Sequence, residues 1–264
     1  MSDEKRHASV DEQVLFGPKF AVRTLQRLMR ALPSNPRCKI CYSPFAGFGG
    51  RIVGVAGFKP SRKNPEMCTG CFEKAPLGGE EMEIGVMFAD IRGFTPMSET
   101  VAPEEMATLL NRFYGAASDA LVHRSAIIDK MVGDEVMALF IPWFIDDPVG
   151  RMCDAADDLL KGVGFGGDDE PWLPLGIGMD FGRAFVGNVG VGEVKDFTAI
   201  GDVVNTASRL QAEASAGQIV LSGKVFEMVP ERYPEARRVE LQLKGKAAPV
   251  VAHVVDRAGV LSPA

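Results

Sequence analysis

The chain has 264 residues, which is long enough for one large domain or two modest ones. Apolar residues make up 46% of it, yet no apolar stretch approaches the ~20 residues that span a bilayer. The first residues, MSDEKRHASVDEQ, are polar and contain no signal-peptide core, so we expect a soluble, cytoplasmic protein.

The formal net charge of −6 is unevenly distributed along the chain. Residues 1–80 carry 13 Lys/Arg and 7 Asp/Glu, whereas residues 81–264 carry 16 and 28. If the acidic part binds a polyanion, it needs metal ions or a few well-placed cations. The basic part is suited to nucleic acid, to a phosphorylated partner or to the acidic part of the chain itself, and charge alone does not choose among them.

The N-terminal region begins with an amphipathic pattern. Apolar residues at helical spacing predict a helix over residues 20–32, which Pro33 ends. We expect it to pack on its own domain rather than to pair with a second copy, because it is too short for a sustained coiled coil. The predicted divisions are an N-terminal segment (1–36), a cysteine module (37–74), a Gly/Pro-containing linker (75–81) and a large domain (82–264).

Cysteine is the strongest signal in this region. Cys38 and Cys41 form one CxxC pair, and Cys68 and Cys71 form a second pair after 26 intervening residues. This spacing predicts a zinc-ribbon-like module with one structural Zn²⁺, which would stabilise a Gly/Pro-rich segment with little apolar core. Two disulfides, free thiols or an Fe–S cluster are the alternatives, and a cytoplasmic location disfavours disulfides. Cys153 lies alone in a helical segment and is interpreted as a buried small hydrophobe.

The large domain alternates strands and helices. Strands are predicted at residues 83–90, 173–179, 184–189, near Ile200, 219–222, 238–243 and 250–255, helices at 103–121, 149–163 and 203–214, and a hairpin over 127–140. Strands joined by helices, with an antiparallel hairpin among them, predict an α+β sandwich of the ferredoxin-like βαββαβ type.

Two carboxylates are expected at the ends of strands in this domain. The apolar run 84–89 ends on Asp90, and Gly133-Asp134 forms the predicted tip of the hairpin. Carboxylates displayed from neighbouring strand ends can hold a pair of Mg²⁺ ions against a triphosphate. Taken alone, each aspartate has an ordinary interpretation, as a helix cap for Asp90 and as turn chemistry for Asp134.

Three segments, FADIRGFT, KMVGDEVMALF and FTAIGDVVNTASRL, occur in that order. Together they resemble the signature of class III nucleotidyl cyclases, the adenylate and guanylate cyclases, and the resemblance covers residues 81–255. It implies a lyase with the class III cyclase sandwich, in which two Mg²⁺ or Mn²⁺ ions are held by Asp90, Asp134 and the backbone carbonyl of Ile91. Those ions would promote in-line attack of the ribose 3′-hydroxyl on the α-phosphate.

The resemblance also implies roles for residues near the C-terminus. Asn205 and Arg209 lie four residues apart on one predicted helix, so they share a face. At the matching family positions the Asn orients the ribose and the Arg stabilises charge on the α-phosphate. Lys244 matches the lysine that binds the β- and γ-phosphates, although Lys246 is close by.

Base selection depends on Lys130 and Thr198, which match the family's base-contacting positions. A lysine can donate to adenine N1, and a threonine can accept from the 6-amino group, so the pair favours ATP. The hydroxyl of a threonine can also donate, so GTP and pyrimidine triphosphates stay open as alternatives. Outside the motif, a surface lysine and a strand threonine are equally ordinary.

The resemblance implies a homodimer with two identical composite sites, because the metal aspartates and the Asn/Arg pair meet across a dimer interface in the family. The leading hypothesis is an adenylate cyclase that makes cyclic AMP for signal transduction. One alternative is a retired cyclase fold that serves as a zinc-ribbon binding or sensor protein. Another is a cysteine module that gates the cyclase by redox chemistry.

Overall fold

The computed structural model of the chain describes residues 19–39, 41–72, 77–143, 145–167, 169–191 and 194–258. The polar N-terminal stretch and residues 75–76 of the predicted linker lie outside these ranges. The chain divides into two compact units, one of Met1–Met82 with Ala184–Ile200 and one of Glu83–Arg183 with Gly201–Ala264. The domain boundaries drawn from the sequence stay predictions.

The first unit contains three helices and a hairpin among its described residues. Its elements are α1 (Lys19–Ala31), α2 (Gly47–Val55), α3 (Thr69–Phe72), the start of β1 (Gly78–Ile91), the end of β4 (Leu175–Val191) and β5 (Val194–Ile200). Helix α1 confirms the amphipathic pattern. Helix α2 was not predicted, because the glycines of its sequence GFGGRIVGV have low helix propensity. Its Val53 is buried, and so is Met67 further along, so this segment has a small apolar interior after all.

The second unit is built on a mixed sheet. Its further elements are α4 (Phe94–Thr100), α5 (Pro103–His123), β2 (Ile127–Val132), β3 (Glu135–Phe140), α6 (Pro148–Gly162), α7 (Asp202–Glu213), β6 (Gln218–Ser222), α8 (Gly223–Met228), β7 (Arg237–Leu241) and β8 (Val250–Asp256). The strand order is β2-β3-β1-β4-β6-β8-β7, and β5 pairs with β4 off this path. Strands β4 and β6 run parallel, whereas β3 pairs antiparallel with both β1 and β2. The predicted α+β sandwich is confirmed.

Both faces of the sheet are covered, as the alternation along β6 demonstrates. Ile219 and Leu221 point into the larger core, which contains side chains of α5 and α6. Val220 points to the opposite face and packs against Leu210 of α7. This alternation follows from the two-residue period of a strand, and it places α7 on its own side of the sheet. None of the helices in the described ranges combines the length and apolar composition that crossing a bilayer requires.

Strand β4 differs from the sequence prediction. Separate strands were expected at 173–179 and 184–189, but Leu175–Val191 is one continuous strand. Gly182 lies within this strand, next to the side chain of Val203 on α7. A glycine inside a strand can mark close packing rather than a turn.

Gly178 of β4 determines how closely α7 packs on the sheet. A Cβ at this position would lie 2.0 Å from the backbone nitrogen of Gln211 and 2.5 Å from the carbonyl oxygen of Ala207. Only a residue without a side chain fits there. Because α7 carries Asn205 and Arg209, this contact also positions the candidate catalytic helix.

Gly178→Ala is expected to lower the free energy of unfolding by about 1–3 kcal/mol, because the added methyl group fits only if α7 moves. Urea unfolding followed by circular dichroism measures this change. Gly115→Ala is the matched control, since Gly115 lies inside α5 with no atom within 4 Å of the added Cβ. The control is expected to gain up to about 1 kcal/mol. Equal stability of the two variants would contradict the close packing of α7.

Candidate functional site

The two predicted metal-binding aspartates are neighbours. Asp90 lies at the end of β1 and faces Glu135 across the antiparallel pairing with β3. The backbone N–H of Ile91 donates to the carbonyl oxygen of Asp134 at 3.2 Å. Asp134 occupies the tip of the hairpin, after Gly133 with its left-handed φ of 58°. The backbone therefore brings Asp90, Ile91 and Asp134 together, as the sequence suggested.

The pKa values of Asp90 and Glu135 are raised, mainly by burial. Burial raises the pKa of Asp90, with a further contribution from Asp134, while the guanidinium of Arg92 opposes the rise. Burial also raises the pKa of Glu135, followed by the charges of Asp90 and Asp134. A raised pKa in the fold means that the ionised carboxylate costs stability once the pH exceeds that pKa. A divalent cation would remove this cost, and carboxylate and carbonyl oxygens are the ligands that Mg²⁺ prefers.

Two residues of this cluster were not selected from the sequence. Arg92 pairs with Asp90 through its guanidinium. Glu135 joins the cluster because it is the cross-strand partner of Asp90. Glu135 could have been selected from the sequence, because it directly follows the Gly-Asp turn. A cation bound at Asp90 would compete with Arg92 for the same carboxylate.

A tyrosine supports the hairpin tip from α5. The hydroxyl of Tyr114 donates to the carbonyl oxygen of Gly133 at 2.7 Å. Burial raises the pKa of Tyr114, and the nearby charge of Asp134 adds to the rise. The phenol therefore stays protonated and holds the turn that presents Asp134.

A second group of candidate residues lies on and beside α7. Asn205 is exposed and Arg209 is half-buried. The guanidinium of Arg209 lies over Gly245, where an added Cβ would be 3.2 Å from its Nη2 atom. Gly245 has a left-handed φ of 78°, so the loop turns sharply beside the arginine. The structure thus brings Arg209 next to the loop that carries Lys244.

The two lysines of this loop differ in their surroundings. Lys246 forms an ion pair with Asp202 at the start of α7. Lys244 is exposed and has no ion-pair partner in the part of the chain that the structure describes. Of the two, Lys244 is therefore the cation that an anionic ligand meets without first displacing a carboxylate.

The aspartates and the α7 residues form separate groups within one chain. Across the described ranges, no hydrogen bond or ion pair joins Asp90 or Asp134 to Asn205 or Arg209. The two base-contacting candidates belong to different compact units. Lys130 lies on β2 in the second unit, exposed and 3.7 Å from the carboxylate of the buried Asp129, whereas Thr198 lies half-buried on β5 in the first unit. Their pairing stays a prediction.

The four cysteines of the CxxC pairs form a cluster. Their ligand atoms lie within 4.8 Å of one another. The Sγ–Sγ distances are 3.9 Å for Cys38 and Cys71, and 3.5 Å for both Cys41–Cys68 and Cys68–Cys71. Disulfide sulfurs would lie about 2.05 Å apart, so these are free thiols.

The spacing of these sulfurs fits one tetrahedral ion. Metal–sulfur bonds of about 2.3 Å in a tetrahedron hold sulfurs about 3.8 Å apart. A cluster with two or more irons distributes its cysteines over different metal atoms, which requires some sulfurs to lie further apart. The backbone N–H of Cys68 donates to Cys38 Sγ at 3.3 Å. Hydrogen bonds with the other three thiols lower the pKa of Cys38, and the bond with Cys41 has the largest effect. The hydrogen bonds with Cys38 raise the pKa of Cys68 and of Cys71, so thiolate is favoured at Cys38, and a bound metal would favour it at all four.

Comparison with known sequences identifies the family. The family model "Adenylate and Guanylate cyclase catalytic domain" matches residues 79–256. An adenylate cyclase of Anabaena cylindrica is 35% identical over 150 residues, which are 52% of this chain and 30% of that protein. An uncharacterised protein of Mycobacterium tuberculosis is 30% identical over 181 residues, which are 64% of this chain and 32% of that protein. The chain thus spans about a third of the length of these curated relatives.

Solved structures agree with this match. The guanylyl cyclase Cya2 superimposes with a TM-score of 0.59 and 29% identity, covering 68% of this chain and 94% of that one. The adenylyl cyclase CyaB from P. aeruginosa gives a TM-score of 0.58 and 28% identity, covering 70% and 100%. The mixed sheet described above is the fold of these cyclase domains.

Proposed function

The chain belongs to the family of adenylate and guanylate cyclase catalytic domains, and we propose that it converts ATP to 3′,5′-cyclic AMP and pyrophosphate. The observation that carries this proposal is the pair of neighbouring carboxylates, Asp90 and Asp134, held together by the backbone of Ile91. The same chain supplies Asn205 and Arg209 on one helix. Its similarity to two adenylate cyclases supports the choice of product.

In the proposed reaction the ribose 3′-oxygen attacks the α-phosphorus in line. The bond from that phosphorus to the bridging oxygen breaks, pyrophosphate leaves, and the 3′-hydroxyl proton passes to water. Two Mg²⁺ or Mn²⁺ ions at Asp90, Asp134 and the Ile91 carbonyl would lower the pKa of the 3′-hydroxyl and neutralise the triphosphate. Glu135 and Arg92 adjust the charge around these ligands.

The α7 group binds the other parts of the nucleotide. Arg209 presents a planar, permanently charged fork, which matches the oxygens of the α-phosphate as charge develops there. Asn205, one turn earlier on the same face, orients the ribose. Lys244, on the loop beside Arg209, binds the terminal phosphates.

A homodimer completes the site. The metal ligands and the α7 residues do not contact each other within one chain among the described residues, so we infer that each site takes its aspartates from one subunit and its Asn/Arg pair from the other. Two identical sites then result from two-fold symmetry. Exposed valines on the β4–β5 hairpin, Val191 and Val194, are consistent with burial against a partner.

Lys130 and Thr198 are the proposed base-contacting residues. A lysine ammonium can donate to adenine N1 but meets a donor at guanine N1, and the threonine hydroxyl can accept from the adenine amino group. Similarity to a guanylyl cyclase as well as to adenylyl cyclases makes GTP the first alternative. If no triphosphate reacts, the chain is a catalytically inactive cyclase fold.

Mixing two inactive variants tests the activity and the composite site together. Asp90→Ala and Arg209→Ala should each be nearly inactive, and their mixture should recover about a quarter of wild-type activity, because half of the dimers gain one intact site. Product is identified by mass after incubation with ATP, GTP, CTP or UTP and Mg²⁺ or Mn²⁺. Asp90→Ala mixed with Asp134→Ala is the matched control and should stay inactive. Equal recovery in both mixtures, or none despite subunit exchange, would contradict the composite site.

Lys130→Glu tests base selection. Replacing an ammonium with a carboxylate at the base edge should lower kcat/KM for ATP by about 100-fold or more. Steady-state kinetics with each triphosphate measures the change. Lys161→Glu makes the same charge reversal on an exposed residue at the end of α6 and should leave kcat/KM unchanged. Equal use of ATP and another triphosphate by the wild-type protein would refute the proposed preference.

The cysteine cluster is proposed to bind one structural Zn²⁺ per chain. Four thiolates at tetrahedral spacing are the usual zinc ligands of paired CxxC motifs. Few large apolar side chains are buried around it, so the ion would supply much of the folding free energy of this segment.

Metal analysis is expected to find one zinc ion per chain in the wild-type protein and in Cys153→Ala, and none in Cys41→Ser. Cys153 is the matched control, because it is a buried free thiol outside the cluster. Loss of zinc should increase hydrogen exchange across residues 38–72, since the segment cannot stay folded without its ion. Iron in place of zinc, or exchange unchanged after metal loss, would contradict this role.

A further inference from the structure

A lysine of the cysteine module contacts the strand that carries Thr198. The Nζ atom of Lys63 donates to the backbone carbonyl of Phe197 at 2.7 Å and lies 2.9 Å from a carboxylate oxygen of Asp196. Only 15% of the Lys63 side chain is exposed. A largely buried ammonium needs strong partners, and these two bonds provide them. All of these residues belong to the first compact unit.

Lys63 is held in a loop that is tied to the metal-ligand cluster. Its own N–H donates to Ser61 Oγ at 3.1 Å, and the Ser61 N–H donates to the carbonyl of Met67 at 2.8 Å. Pro60 forms a β-bridge with Cys68, whose N–H donates to Cys38 Sγ. The loop of residues 59–69, named here the Lys63 loop, therefore depends on the cysteine cluster for its shape.

The start of β1 contacts the residue that pairs with Thr198. Gly187 of β4 is the cross-strand partner of Thr198. A Cβ on Gly187 would lie 2.2 Å from the carbonyl oxygen of Gly78, so the two backbones are in close contact. The strand that leaves the module and the Lys63 loop thus both fix the backbone around Thr198.

We propose that Lys63 is a positioning residue for Thr198, and that the cysteine cluster influences base selection through the Lys63 loop. This inference rests on the proposed function, in which Thr198 contacts the base. Lys63 does not touch the nucleotide; it fixes the backbone from which Thr198 extends. A displacement of less than a hydrogen-bond length at Thr198 would weaken discrimination between the amino group of adenine and the carbonyl of guanine.

The test compares Lys63→Met, Lys63→Arg and Arg62→Met. The first removes both bonds but keeps most of the apolar stem of the side chain, and the second keeps the charge and the donors. The third alters an exposed neighbour that makes neither of these two bonds. We measure hydrogen exchange over residues 194–200 for each variant. We also measure the ATP/GTP ratio, defined as the Kd for GTP divided by the Kd for ATP, with Ca²⁺ in place of Mg²⁺ so that binding is measured without turnover. The kcat/KM for ATP divided by that for GTP is the kinetic counterpart.

Lys63→Met is expected to raise exchange over residues 194–200 and to reduce the ATP/GTP ratio about tenfold, with Lys63→Arg restoring most of both. Arg62→Met should match the wild type. Exchange in Lys63→Met equal to that in Arg62→Met overturns the proposal, and so does faster exchange with an unchanged ratio. If no triphosphate reacts, the proposed function fails, while the binding ratio still decides the role of Lys63.

Cys41→Ser tests the link to the cluster with Lys63 intact. We expect faster exchange over residues 194–200 as well as within the module, and the same fall in the ATP/GTP binding ratio. If exchange becomes faster only within residues 38–72, the proposed influence of the cysteine cluster on base selection is overturned. A wild-type protein that binds ATP and GTP equally would overturn the whole inference.

Discussion

One backbone hydrogen bond, from the N–H of Ile91 to the carbonyl of Asp134, brings together the candidate metal ligands of the second unit. It joins the end of β1 to the hairpin tip and so places two carboxylates side by side, with Glu135 beside them. Burial, together with the neighbouring charges, raises the pKa values of Asp90 and Glu135, so keeping these groups ionised is unfavourable. Arg92 compensates part of this cost at Asp90. The divalent ion of the proposed reaction would compensate the rest.

The candidate residues on and beside α7 are positioned by close packing. Helix α7 lies against β4 at a glycine that leaves no space for a methyl group, and Arg209 lies over a second glycine, Gly245. The first contact sets the distance of the α7 backbone from the sheet, and the second places the Arg209 guanidinium beside the loop of Lys244. The acidic cluster and helix α7 are thus organised by different contacts, which suits the proposed site assembled from two copies of the chain.

Much of this architecture could be read from the sequence, since the strand that ends on Asp90, the hairpin at Asp134 and the helix of Asn205 all follow from local patterns of apolar residues and turns. What could not be read depended on contacts between distant segments. Two strands were expected at 173–179 and 184–189, and their union into the single strand β4 follows from its pairing with other strands of the sheet. Helix α2 forms despite its glycines, and the contact between Lys63 and Phe197 joins residues 134 positions apart.

The bond between Lys63 and strand β5 is made to a main-chain carbonyl, and every amino acid carries that group. The contact therefore does not depend on which side chain occupies position 198. Under the proposed function, exchange of Thr198 for an aspartate or a cysteine would change the chemistry offered to the base and leave the support of the strand intact. In a chain built in this way, the residue proposed to contact the base can be exchanged without rebuilding the structure that holds it.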